Sequence, residues 1–132
     1  MENFIDKNIK KWIKIVNAEY GLSNCNQFSI NYFNQIKHIC RFIFKENWYL
    51  IYAVFPDMWG NLELNIISYY IVPQKRTFKR FMKLQSIIKI IAKRLKCRYI
   101  IQGSHLNDKL FKYLEKSGYK NSSMKLEVDY GN

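Results

Sequence analysis

The stretch that decides the fold of this chain is residues 64–102, LNIISYYIVPQKRTFKRFMKLQSIIKIIAKRLKCRYIIQ. Its first part, Leu64 to Val72, is typical of a buried strand, and Pro73 ends it. The period then changes to intervals of three and four, which predicts an amphipathic helix from about Thr77 to Lys96. Arg98 to Gln102 predicts a second strand. We therefore expect a crossover unit whose two strands are parallel.

The residues before this unit predict one helix and a series of hairpin-linked strands. Apolar residues recur at helical spacing over residues 3–19, whereas residues 21–36 give no firm pattern. The expected strands are residues 36–45, 48–55 and 62–72, joined by turns at Glu46-Asn47 and Pro56–Asn61. The second strand is a continuous apolar run, so it belongs at the centre of the sheet.

The residues after the unit predict a short helix and a last strand. The helix begins at Asn107 or Asp108 and ends before Gly118, and residues 124–130 alternate strictly. Together these elements predict an α/β fold: a mixed sheet of about six strands with helices on both faces. At 132 residues the chain is expected to form a single domain, residues 1–132.

Composition restricts the class of partner. The formal charge is +12, with 48% apolar and 17% aromatic residues, so the chain is a packed globule and not a disordered tail. A charge of this size favours a polyanion: nucleic acid, an acidic protein surface or an anionic membrane. The other reading is that the charge only keeps the protein in solution. Three cysteines and two histidines lack the spacing of metal ligands, so no metal is expected.

No apolar run reaches the ~18 residues of a membrane span. Residues 1–20 carry acids and lysines among their apolar positions, so they are not expected to act as a signal peptide.

The strongest chemical feature is a basic cluster at the expected start of the long helix. It consists of Lys75, Arg76, Lys79, Arg80 and Lys83. Cations at a helix N-terminus oppose its dipole, and phosphate oxygens of nucleic acid or of a cofactor would compensate them. The alternative is a solvated basic face. Trp59, in the Pro56–Asn61 turn, is a separate candidate for a partner contact.

The order of these motifs resembles the GCN5-related N-acetyltransferase (GNAT) family. Val72-Pro73 stands where the family has the end of a strand, and Arg76 takes the first position of its Arg/Gln-x-x-Gly-x-Gly/Ala loop. Further on, the family's Asn-x-x-Ala-x-x-Leu-Tyr-Glu-Lys-x-Gly-Phe pattern is matched at Asn107, Glu115, Lys116, Gly118 and Tyr119. The resemblance implies that acetyl-coenzyme A, if bound, would contact Val72, Arg76, Lys79, Arg80 and Asn107.

Two departures from the family, in the cofactor loop and at the proton donor, argue against efficient acetyl transfer. The two loop glycines are Lys79 and Phe81, whose side chains are expected to crowd the path of the pyrophosphate. The family's proton-donating Tyr is Leu114, which cannot donate a proton. Glu63 and His105 are the candidates for a general base. The resemblance therefore implies a degenerate member that binds no cofactor.

A narrower resemblance is to small phage proteins that carry a GNAT-like domain with a basic run in place of the glycines. Lys75 to Phe81 (KRTFKRF) is similar to that run. It implies a binding or assembly protein, in the cytoplasm or in a phage virion, that contacts DNA or virion structural proteins. Two alternatives remain: an active N-acyltransferase with an atypical cofactor loop, and a basic nucleic-acid-binding module.

Overall fold

The computed structural model describes residues 3–20, 25–102, 114 and 116, and of residues 20 and 25–29 the backbone alone. The chain divides into two compact units, residues 1–102 and 103–132. In the second unit Leu114 and Lys116 are helical, and Leu114 is buried. The predicted helix start at Asn107 and the predicted strand 124–130 lie outside the described residues. The single domain therefore stays a prediction.

The first unit contains three helices and one mixed sheet. Its elements are α1 (Phe4–Tyr20), α2 (Cys25–Ile36), β1 (Arg41–Phe44), β2 (Trp48–Pro56), β3 (Leu62–Ile71), a 3₁₀ turn (Pro73–Lys75), α3 (Phe78–Arg94) and β4 (Tyr99–Ile101). The sheet order is β1-β2-β3-β4. The prediction of about six strands is therefore wrong for the described part of the chain, which has four. That number included the predicted strand over residues 124–130, which falls outside the described residues.

Strand pairing confirms the expected topology. β2 and β3 are antiparallel from Trp48↔Ile71 to Pro56↔Leu62, and one residue of β3, Ile67, is skipped at a bulge. β3 and β4 are parallel over three pairs, of which the last is Asn65↔Ile101. β3 continues to Ile71, beyond the last of these pairs.

The sheet is covered on both faces, and alternation along the strands decides which residues meet which helix. On one face Leu50 and Leu64 pack with Leu84, Ile88 and Ala92 of α3. On the other face Trp12 of α1 packs against aromatic and aliphatic side chains of β2 and β3, namely Tyr49, Ile51 and Tyr70. The two faces confirm the predicted layers.

Helix α2 was not predicted, and the first predicted strand was too long. Residues 25–36 are rich in Asn and Gln, which give no strong helical signal, and α2 is held instead by packing beside α1. An ion pair of 3.3 Å joins Lys37 Nζ to Asp6 Oδ1 of α1. The Lys37 N–H donates to Phe33 O, so helical hydrogen bonding continues to residue 37. β1 therefore begins at Arg41 and not at residue 36.

Both ends of α3 are capped. Thr77 is extended, and its Oγ1 accepts the Arg80 N–H at 3.2 Å. At the other end Cys97 N–H donates to Ala92 O and Lys96 N–H to Lys93 O, which is the pattern of a Schellman motif. Lys96 has φ 57°, a left-handed conformation usually occupied by glycine.

Candidate functional site

The basic cluster lies at the N-terminal end of α3, as the sequence predicted. Lys75 ends the 3₁₀ turn, and Lys79, Arg80 and Lys83 follow on the helix; all four are exposed. Within residues 3–20 and 25–102 no carboxylate pairs with any of the four. Their charge is therefore unopposed by the described part of the protein.

Arg76 is different, because its side chain is tied to the end of α1. Its Nη1 lies 2.7 Å from Glu19 Oε1 and its Nη2 lies 3.1 Å from Oε2, which is a bidentate ion pair. Nη2 also donates to Ile71 O at 2.7 Å. The guanidinium stacks over the ring of Tyr70, 5.2 Å from its centroid. Arg76 therefore links the C-terminal end of β3 to the C-terminal end of α1.

In this contact the pKa of Glu19 is lowered and the pKa of Tyr70 is raised. The hydrogen bond from Arg76 lowers the pKa of Glu19 below its ordinary value of 4.5, although burial opposes the shift. Burial, and next the hydrogen bond that its hydroxyl donates to Glu19, raise the pKa of Tyr70 to about 12. At neutral pH Glu19 is therefore ionised and Tyr70 is protonated, so Tyr70 acts here as a hydrogen-bond donor.

The two positions at which the family has glycine have different surroundings. Phe81 is 7% exposed, and its ring centroid lies 6.5 Å from that of Tyr69, so its bulk lies in the core. Lys79 is exposed on the first turn of α3. Thr77 already occupies one donor of this turn, the Arg80 N–H, which a phosphate would otherwise accept. Val72 is half-buried, and its N–H donates to Asn47 O at 2.9 Å.

The remaining predicted residues do not join this cluster. Glu63 is half-buried near the start of β3, opposite Phe55 on one side and Tyr99 on the other, whereas the cluster follows the end of that strand. Trp59 is 79% exposed in the β2–β3 turn. His105 and Asn107 lie outside the described residues.

Sequence reasoning missed Glu19 and Tyr70. Glu19 is 57 residues from Arg76, and the first helix gave no sign of which face would meet the β3–α3 junction. Tyr70 lies within the predicted strand, whose pattern predicts burial and not a hydrogen bond to α1. A single sequence carries no signal for a contact between such distant positions.

The described residues show neither a metal-binding cluster nor a membrane-spanning helix. Within them, no three or more His, Cys, Asp and Glu side chains are grouped so as to hold a metal ion. None of their helices combines the length and the apolar character needed to cross a membrane.

Comparison of whole structures identifies the fold. A Pyrococcus furiosus protein assigned as an acetyl transferase superposes with a TM-score of 0.76 at 15% identity, over 97% of this chain and 95% of its own. The ribosomal-protein-alanine N-acetyltransferase of Brucella melitensis biovar Abortus 2308 gives 0.71 at 8% identity, over 95% of each chain. An acetyltransferase of Clostridium acetobutylicum solved with acetyl-CoA gives 0.66 at 17%, over 94% and 91%. No family model and no curated protein matches the sequence.

These likenesses extend over nearly the whole chain at low identity. They show that the chain has the GNAT fold. At sequence identities of 8–17%, these likenesses support a conclusion about the fold alone. Activity has to be argued from the residues of this chain.

Proposed function

We propose that this GNAT-fold protein binds a polyanion at the N-terminal end of α3 and does not transfer acetyl groups efficiently. The observation that carries the proposal is the set of four exposed cations that no described carboxylate opposes: Lys75, Lys79, Arg80 and Lys83. The ligand has the chemistry of a nucleic acid or of an acidic protein surface.

The placement of these cations supports a ligand. Like charges on one helical turn repel one another, and at the N-terminus they also oppose the helix dipole. Each effect costs a few tenths of a kcal/mol in the free protein, and a bound polyanion would reverse both. Glu19 neutralises Arg76, so four charges and not five are available to a ligand.

Three features argue against acetyl transfer. Lys79 replaces a glycine at the helix start and projects into solvent. Thr77 takes a backbone donor that the cofactor's pyrophosphate would use. Leu114, where the family has its proton-donating Tyr, is buried and carries no acidic hydrogen. A substrate amine would therefore lack both the positioned thioester and the proton donor.

The binding proposal is tested by changing Lys79, Arg80 and Lys83 to Gln together. The affinity for a 20-base-pair DNA is measured by fluorescence anisotropy between 50 and 200 mM salt. We expect the slope of log K against log salt to fall by roughly 2.7, since each phosphate contact contributes about 0.9. The matched control changes Lys7, Lys11 and Lys14 on α1 to Gln. An unchanged slope in the cluster variant, or an equal fall in the control, contradicts the proposal.

The second candidate is an active N-acyltransferase that uses acetyl-CoA. One observation favours it: a structural neighbour was solved with acetyl-CoA. Isothermal titration with acetyl-CoA decides between the candidates. We expect no heat at ~100 µM ligand, which means a binding free energy weaker than about 5.5 kcal/mol. A micromolar dissociation constant, or turnover of any amine, would establish the second candidate.

A role in assembly extends the first proposal. The basic run Lys75 to Phe81 supports a binding or assembly protein, located in the cytoplasm or in a phage virion, with DNA or a virion structural protein as the polyanion. Its test is the composition of purified particles made with and without the Lys79, Arg80 and Lys83 changes. Loss of the protein from particles made with the variant is the expected outcome.

A further inference from the structure

A second basic group lies at the other end of α3. Lys93 and Arg94 are on the last turn of the helix, Lys96 is in the Schellman motif, and Arg98 precedes β4; all four are exposed. The helix dipole favours cations here, so the group by itself needs no ligand. What distinguishes it is the surface next to it.

That surface is the β2–β3 turn, whose backbone is held by hydrogen bonds and which carries apolar side chains at its tip. Asp57 Oδ1 accepts the N–H groups of Trp59 and Asn61, each at 2.9 Å, and Gly60 provides the positive φ that the turn needs. Met58 is 85% exposed and Trp59 79% exposed. The backbone that carries the exposed Trp59 is therefore fixed before any partner arrives, which lowers the entropy cost of ordering the turn on binding.

Arg98 joins the turn to the basic group. Its backbone N–H donates to Leu62 O at 2.8 Å, and its side-chain Nη1 donates to Asn61 Oδ1 at 3.4 Å. Its guanidinium also lies over the exposed ring of Tyr99, 5.3 Å from the centroid. Arg98 thus lies against the exposed ring of Tyr99 and is hydrogen-bonded to Asn61, two residues from Trp59 in the chain. Three further cations, Lys93, Arg94 and Lys96, precede it within five residues.

The acids beside this surface do not cancel its charge. The Asp57 carboxylate accepts hydrogen bonds from two backbone N–H groups of the turn. Glu63 pairs with Tyr99 across the strands and is half-buried. Among the described residues four cations therefore stand against two carboxylates, Asp57 and Glu63, and this part of the surface carries a net positive charge that attracts anions.

We infer that this surface, which we call the Trp59 surface, binds a single-stranded polynucleotide. Its residues are Trp59, Tyr99, Lys93, Arg94, Lys96 and Arg98. Exposed aromatic faces stack unpaired bases whatever the sequence, and cations nearby hold the phosphates. The bases of a duplex are stacked on one another and are not available to stack on these rings. An acidic protein has the negative charge but no bases that could stack on them. The inference goes beyond the proposed function, since it uses the opposite end of α3.

The test compares 5′-fluorescein-labelled dT20, rU20 and a 20-base-pair duplex by anisotropy, using the full chain. We expect a single strand to bind at least fivefold more tightly than the duplex, and the tighter of dT20 and rU20 identifies the natural strand. Changing Trp59 to Ala should weaken single-strand binding about tenfold and leave duplex binding unchanged. Trp59→Phe should restore most of the loss, because it keeps a ring that stacks.

The combined Lys79, Arg80 and Lys83 change to Gln is the matched control. It should weaken duplex binding and leave the roughly tenfold effect of Trp59→Ala on single-strand binding as it was. Since Trp59 is exposed, circular dichroism of Trp59→Ala should match the unchanged protein. The inference is overturned if Trp59→Ala keeps its single-strand affinity, if duplex and single strands bind equally, or if a 20-residue polyglutamate peptide binds as tightly as dT20.

Discussion

At the scale of single residues, the bidentate ion pair between Glu19 and Arg76 is the contact that most restricts the candidate site. It is partly shielded, with side-chain exposures of 23% and 43%. Its contribution is therefore larger than that of an ordinary surface pair but still modest, about 1 kcal/mol. It also decides which cations of the cluster face solvent.

Changing Glu19 to Gln should lower the free energy of unfolding by about 1 kcal/mol at pH 7. A carboxyl whose pKa is lowered by folding contributes stability that is complete above its ordinary value, 4.5, and is lost as pH falls through the folded value. The difference between the two proteins should therefore shrink below pH 4.5. Urea unfolding at pH 7 and pH 3 measures it. Glu46→Gln, in the exposed β1–β2 turn, is the control and should show no difference at either pH.

At the scale of elements, the two ends of α3 illustrate how far the sequence predicts structure. Thr77 was expected to begin the helix and does cap it. The end near Lys96 was also expected, but its left-handed conformation was not, because no glycine marks it. Leu95 N–H and Cys97 N–H reach back to Ile91 and Ala92, and that hydrogen bonding holds Lys96 in place.

Replacing Lys96 with Gly should stabilise the protein by about 0.5–1 kcal/mol, because glycine adopts φ 57° without the cost of a Cβ. Lys96→Ala keeps the Cβ and should leave stability nearly unchanged. Lys93→Gly, inside the last turn, should cost about 1 kcal/mol. Thermal unfolding of the three variants checks the order. A gain with alanine as large as that with glycine would rule out the conformational explanation.

At the scale of the whole molecule, the crossover unit was the part that the sequence predicted best, because its residues follow the strand and helix periods. Leu64, Leu84 and Ile88 follow strand and helix periods closely, so their burial could be predicted from one sequence. Helix α2 could not be predicted, because it is fixed by α1 and not by its own residues. The basic cluster was predicted, whereas its ion pair with Glu19 depends on how α1 packs on the sheet.

The order of strands in the sheet has a kinetic consequence. β1, β2 and β3 are neighbours in the chain and close through short turns, while β4 pairs in parallel only after the chain has passed through α3. Closing the longer loop between β3 and β4 costs more chain entropy, and this cost arises before the β3–β4 contacts can stabilise the pair. The meander should therefore form the folding nucleus, and β4 should dock late. Ile51→Val should slow refolding in stopped-flow measurements, whereas the matched Ile100→Val should leave the refolding rate unchanged and speed unfolding.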